Sequence, residues 1–180
     1  MKIEVPVIVF VGLVITCIMA MPPISLSFAS SSSSSLTIDG ITCDRKEHFV
    51  SHIHTHLNIF MNGKEFVVPS NIGIIPDNCI YWLHTHDDTG VIHIESPDDR
   101  TFTLGQFFQI WGETFNNNQI FDKLVDNNTN NTLNVFVNGK KVDSKTDYRQ
   151  IPLNGHDEIV IIYGKPPNSI PSNYKFPEGL

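Results

Sequence analysis

Six of the chain's eight histidines fall in two short stretches. "FVSHIHTHLNIFMNG" carries His52, His54 and His56 at alternate positions, and "CIYWLHTHDDTGVIHIESP" carries His84, His86 and His93. Neutral imidazole is the commonest metal-ligand side chain. Two or three such rings with open positions suit Cu(II) or zinc. Alternate spacing matters because side chains on a strand point to opposite faces with period two. A His-x-His pair therefore supplies two ligands from one rigid element.

The register of the strands decides whether the two stretches can meet. In the second, a turn centred on Asp88-Thr89 sets His84 opposite His93, His86 opposite Val91 and Trp82 opposite Glu95. Tyr81, Leu83, Thr85, Ile92 and Ile94 take the other, apolar face. Opposed residues have Cβ atoms about 4.5–5.5 Å apart, so His84 and His93 can share one ion. In the first stretch Ile53, Thr55, Leu57, Ile59 and Met61 form the core face and the three histidines the outer one. Its hairpin partner runs out at Pro69, opposite His56, so His52 and His54 need another neighbour. Edge-to-edge packing of the two hairpins would bring six imidazoles together. Asp87, Asp88 and Glu95 then orient ring N–H groups, and Trp82 flanks the site. Glu95 is also the candidate general base towards a metal-bound water. The bland alternative is a structural or pH-sensing histidine cluster. It fits a lone strand histidine better than six in two alternating sets.

An all-nitrogen site follows the affinity order in which Cu(II) exceeds zinc. The blue-copper pattern, Cys followed closely by His and Met, is absent, so a type-2-like copper or a zinc site is expected. Cupin motifs also open with His-x-His, but the glutamate and glycines that should follow are missing around "HTHDDTG".

The positioning elements read as β. "LNIFMNGKEFVV" and "LNVFVNGKKV" are hairpin signals around Asn62-Gly63 and Asn138-Gly139. Leu57–Lys64 and Leu133–Lys140 agree at six of eight positions. That repeat raises the option of two related β modules. A fourth hairpin is expected in "RQIPLNGHDEIVIIYG", turning at Asn154-Gly155. Thr103 with Gln106 makes a capping box and Gly112 a stop, so Leu104 to Trp111 should be helical. "ETFNNNQIFDKLVDNNTNN" reads as a polar connection with room for one helical turn. The expected fold is mainly β: antiparallel hairpins in a sheet or sandwich with one short helix.

Residues 1–29 have the layout of a secretory signal or an N-terminal anchor: Lys2, an apolar run from Val5 to Met21, then Ser27-Phe28-Ala29. Either reading places the rest outside the cytoplasm, with membrane contact only through residues 5–21 if they are retained. A Ser-rich linker (30–40) follows, then a His-rich module with the short helix (41–112). A polar connection (113–131), a second β module (132–164) and a Pro-rich tail (165–180), extended and without regular structure, complete the chain. Net charge is −7 with no basic cluster, which argues against nucleic acid and anionic lipid. Beyond Cys17 in the leader, Cys43 and Cys79 form an even pair, read first as a disulfide. Asn127 and Asn130 head glycosylation sequons.

"HIHTHLNIFMNGK", "IYWLHTHDDTGVIHIESP" and "FTLGQFFQIWG" together resemble an uncharacterised family of exported archaeal and bacterial proteins, over about Ser51 to Trp111. The resemblance implies that the six histidines are shared positions; it implies no reaction. The expected function is an extracytoplasmic copper- or zinc-binding protein. The alternatives are a metal-dependent hydrolase or hydratase at the same site, or an interaction domain whose histidines are incidental.

Overall fold

The computed structural model describes Met1 and residues 36–126, 128, 129 and 131–180. The leader with its apolar run, residues 30–35 of the linker, and Asn127 and Asn130 of the sequons lie outside the described residues. Among the described residues no helix is long and apolar enough to cross a membrane.

Among the described residues the fold is mainly β, with one α-helix. Its main element is a seven-stranded sheet, labelled here in chain order: β1 Ser51–Met61, β2 Lys64–Phe66, β3 Leu83–His84, β4 Val91–Ser96, β5 Leu133–Val137, β6 Lys140–Lys141 and β7 Glu158–Tyr163. The order is β6-β5-β7-β1-β4-β3, with β2 also on β1. The central strand, β1, is long enough for two partners on one edge. Its Ile59–Met61 pairs with β2 and its Ser51–His56 with β4. The first hairpin, around Asn62-Gly63, thus ends at Phe66, and the third, which turns at Asp88-Thr89, takes the edge beside His52 and His54.

The two "NGK" hairpins have the tight turn that their sequence calls for. Asn62, Gly63, Asn138 and Gly139 all have positive φ, which suits the right-handed strand twist. The hairpins do not build separate sheets. β7 runs parallel to β1 through Glu158↔His56 to Tyr163↔Met61, and antiparallel to β5. One parallel pair therefore joins the two expected modules in an otherwise antiparallel sheet.

The core lies on the face of Leu57, Ile59, Leu83, Ile92, Ile94, Val135, Ile159 and Ile161, all buried. The helix α1, Leu104–Trp111, closes this face with Leu104, Phe107, Phe108 and Ile110. Its capping box between Thr103 and Gln106 is formed, and Gly112 ends it at φ 80 in the left-handed region. A four-stranded sheet (Thr37–Ile38, Ile41–Asp44, Cys79–Tyr81, Ile74–Ile75) flanks the third hairpin.

Two expectations are corrected, and one is extended. The polar connection holds no helical turn; it folds as a three-stranded sheet of Phe115–Asn116, Gln119–Ile120 and Lys123–Leu124. Phe115 and Ile120 are buried opposite each other, and that apolar pair decides for a hairpin over a helix. The fourth hairpin does not form. Pro152 bridges Thr103 and Leu153 N donates to the Phe102 carbonyl, so the strand before Asn154 belongs to the start of α1. The tail has no regular structure, as expected, yet it is docked. A Cβ on Gly63 would meet the Pro166 carbonyl at 3.3 Å and one on Gly139 the Ser172 Cβ at 2.7 Å. Further on, Tyr174 stacks on His56 and Phe176 on His156.

Cys43 and Cys79 form a disulfide across 36 residues, tying the flanking sheet to the approach to β3. Closing a loop of that length is worth about 4 kcal/mol in unfolded-chain entropy. Replacing both cysteines with Ser is expected to cost about 2–4 kcal/mol, read from urea unfolding, without altering the ligand register below. A loss under about 0.5 kcal/mol would contradict this role.

Candidate metal centre

Register delivers the ligands. β4 lies between β1 and β3, and His54, His93 and His84 face one another across three consecutive strands. Two residue pairs along, on the same face, His52 opposes Glu95, whose N–H donates to the Trp82 carbonyl. The turn after His84 also brings His86 back, with its ring centroid 4.5 Å from that of His93. Gly90 closes this turn at φ 86. A Cβ there would meet the Leu57 carbonyl at 2.5 Å, so the turn passes too close to β1 for any other residue.

Two groups result, each with donor atoms within 4.8 Å of one another: His52, His54, His93 and Glu95, and His84, His86, His93 and Glu95. Glu95 Oε1 lies 3.4 Å from His52 Nε2, 3.5 Å from His93 Nδ1 and 4.0 Å from His84 Nε2. The His84 and His86 Nε2 atoms are 3.2 Å apart. Around a tetrahedral zinc, bonds of about 2.0–2.1 Å give ligand–ligand edges of about 3.3–3.4 Å. Several of these spacings are therefore those of a coordination shell. The buried groups in both sets can hold a metal ion.

The face is not the solvated surface that alternation suggested. His54, His84, His93 and Glu95 are all buried. His52 and His86 are the half-open members, at 39% and 44% side-chain exposure. Among the described residues, His54 Nε2, His93 Nδ1 and Glu95 Oε2 are buried and have no hydrogen-bond partner. Three unpaired polar atoms in one spot are costly unless something else satisfies them. His84 is set up differently: its Nδ1–H donates to the Tyr81 carbonyl at 2.9 Å. That bond fixes the tautomer and leaves the Nε2 lone pair facing the cluster.

Charge follows burial. Burial first, then the positive fields of His93 and His52, lowers His54 to about 4 against the pull of Glu95. Burial also lowers His84 to about 4, although Glu95 and the Tyr81 carbonyl act in the opposite direction. For Glu95 burial opposes ionisation, but the contact with His93 and the fields of His84 and His52 outweigh it and hold the carboxyl below its usual range. Near neutral pH His54 and His84 are therefore neutral imidazoles beside an ionised Glu95, which is the state a cation needs.

These shifts fix a pH dependence for the metal-free protein. The ordinary value of 6.5 applies to the unfolded chain, and about 4 to folded His54 and His84. Above 6.5 both states are neutral and the contribution to stability is complete. Between 6.5 and 4 only the unfolded chain gains protons, so stability falls, by up to about 1.4 kcal/mol per pH unit per histidine. Below 4 the loss levels off. Thermal unfolding across this range should show that decline, shallower in a His84→Asn variant; equal slopes would contradict it.

His56 is placed apart from both groups. Its Nδ1 is 2.6 Å from Glu158 Oε2 and its Nε2 is 2.8 Å from the Thr89 carbonyl. Both ring nitrogens are thus engaged by oxygen partners, and neither faces the two ligand groups. Tyr174 stacks on the ring at 3.7 Å and 8°. Asp87 accepts from Thr89 and shapes the turn, while Asp88 is exposed at its tip. Trp82 turns towards another cluster: its indole N–H donates to Asp44, and Arg100 lies over its ring.

The structure adds residues that the alternation pattern did not reach. Glu47 Oε1 is 3.7 Å from His86 Nε2. A cleft of about 370 Å³ opens beside His52 and His54, between Gly155, His156 and Leu180. Glu158 and Tyr174, the partners of His56, come from β7 and the tail. Only the acid at the head of "EIVIIY" was a signal, and nothing in the sequence tied it to β1. No family model, curated protein or solved structure matches the chain, so the site is read from its own chemistry.

Proposed function

We propose that this protein is an extracytoplasmic transition-metal binder for copper or zinc, using His52, His54, His84, His86, His93 and Glu95. The observation that carries the reading is the unpaired, buried trio of His54 Nε2, His93 Nδ1 and Glu95 Oε2 at the meeting point of both ligand groups. Nitrogen donors with one carboxylate suit zinc or Cu(II) better than oxygen-seeking calcium or magnesium. The disulfide and the apolar run from Val5 to Met21 support an oxidising location outside the cytoplasm. Storage, sensing or delivery of the ion is the favoured role, since the site offers more ligands than one catalytic ion requires.

A second reading is favoured by the cleft beside His52 and His54: a metal-dependent hydrolase or hydratase in which the ion activates water. Metal analysis of tag-free protein, reconstituted and dialysed, tests both. At least about one equivalent of copper or zinc per chain is expected, whereas under about 0.3 would overturn both readings. Any ester-hydrolysis or CO₂-hydration turnover that collapses in Glu95→Gln while the bound metal stays would favour the enzyme.

A further inference from the structure

We infer that the two ligand groups form one dinuclear centre, in which Glu95 bridges two divalent transition-metal ions; this rests on the metal-binding reading above. The groups share His93 and Glu95 and differ in the pair that completes each, His52 and His54 or His84 and His86. Those pairs sit on opposite sides of β4. With strands about 4.7–4.9 Å apart, the backbones of β1 and β3 stand about 10 Å apart. Among the described residues, no donor set within 4.8 Å mixes one pair with the other.

A single four-coordinate ion cannot use this arrangement fully. Bound in the first group, it leaves the buried His84 with its Nε2 lone pair idle. Bound in the second, it leaves the buried His54 Nε2 unsatisfied. Two ions employ all six side chains.

Glu95 has the position and the charge for a bridge. Oε1 faces histidines of both groups, and Oε2 is buried with no hydrogen-bond partner among the described residues. A carboxylate between two cations offsets their repulsion, and two-metal sites hold their ions about 3.5–4 Å apart. Each ion would also have one half-exposed ligand, His52 or His86, and so its own open edge for water.

Zinc alone, added in excess to the metal-free full chain and then dialysed, is the probe. Elemental analysis should give about two zinc per chain for the wild type. The double variants His52→Ala/His54→Ala and His84→Ala/His86→Ala should each retain about one. A wild-type value of about one overturns the dinuclear centre and leaves the metal-binding reading standing. A value near zero overturns both. Should the variants fail to fold, wild-type protein loaded with Cu(II) decides the matter. A bridged pair gives a dipolar-broadened spectrum with a half-field transition. Two full, isolated Cu(II) signals per chain contradict the bridge.

Discussion

Replacing His93 with Ala is expected to cost more metal affinity than any other single histidine change. His93 belongs to both ligand groups and lies between His54 and His84 in the sheet, so its loss strips both groups at once. Removing a residue that only orients a ligand typically costs 10- to 100-fold, and a ligand itself should cost more than about 100-fold. His86→Ala removes a half-exposed ligand from one group only and should cost less. His48 and His156 belong to neither group. Their alanine variants should stay within about threefold of wild type, a factor worth less than 1 kcal/mol. Competition against a chromophoric chelator measures all of these. A His93→Ala affinity within about threefold of wild type would contradict the shared position.

The second large effect is on stability, and it separates His56 from the other five histidines. His56 and Glu158 are buried at 3% and 1% side-chain exposure and are 2.6 Å apart. The pair is over-determined. The Glu158 N–H donates to Asn138 Oδ1, the Asn138 N–H donates back to the Glu158 carbonyl, and Tyr174 covers the imidazole. Removing one partner of such a buried pair leaves the other unsatisfied, at a cost of about 3–5 kcal/mol. Glu158→Ala should therefore lower the melting temperature by on the order of 10 °C. Glu158→Gln keeps an acceptor for the ring N–H and should lose less. Both variants should hold as much metal per folded chain as the wild type. If Glu158→Ala lowers the bound metal while leaving the melting temperature unchanged, His56 acts as a ligand and not as a structural ion-pair partner.

What was legible in the sequence is what local rules control. Asn-Gly turns fixed two hairpins, and the capping box with Gly112 fixed the helix. Because the side-chain period is two, a turn centre at Asp88-Thr89 was enough to oppose His84 to His93. The exhausted edge at His52 and His54 pointed to the Asp88-Thr89 hairpin as the next neighbour, and the structure shows that its strand β4, with His93, takes that place. Long-range choices were not legible. Nothing local says that β7 runs parallel to β1, so the partnership of Glu158 with His56 could not be read. Alternation also says which face a histidine takes, but not what covers that face. The tail covers part of it, through Tyr174 on His56, and a proline-rich segment shows no periodicity to announce such docking. The Phe115–Ile120 pair was hidden by the asparagines around it, which read as a loop by composition.

The cost of this arrangement also suggests why it should persist. Within the two ligand groups folding buries His54, His84, His93 and Glu95, on a face that could have been apolar. A bound ion satisfies their unpaired atoms and adds stability by mass action, about 2.7 kcal/mol at a hundredfold excess over the dissociation constant. The metal-free protein should accordingly be the acid-sensitive form.

Anomalous diffraction at the zinc edge, from crystals of tag-free protein reconstituted with zinc, tests the metal-centre reading most directly. The account predicts anomalous density within about 2.0–2.2 Å of a Glu95 carboxylate oxygen and of the histidine nitrogens of its group. Density only at His48, His156 or His56, with none beside Glu95, would contradict it.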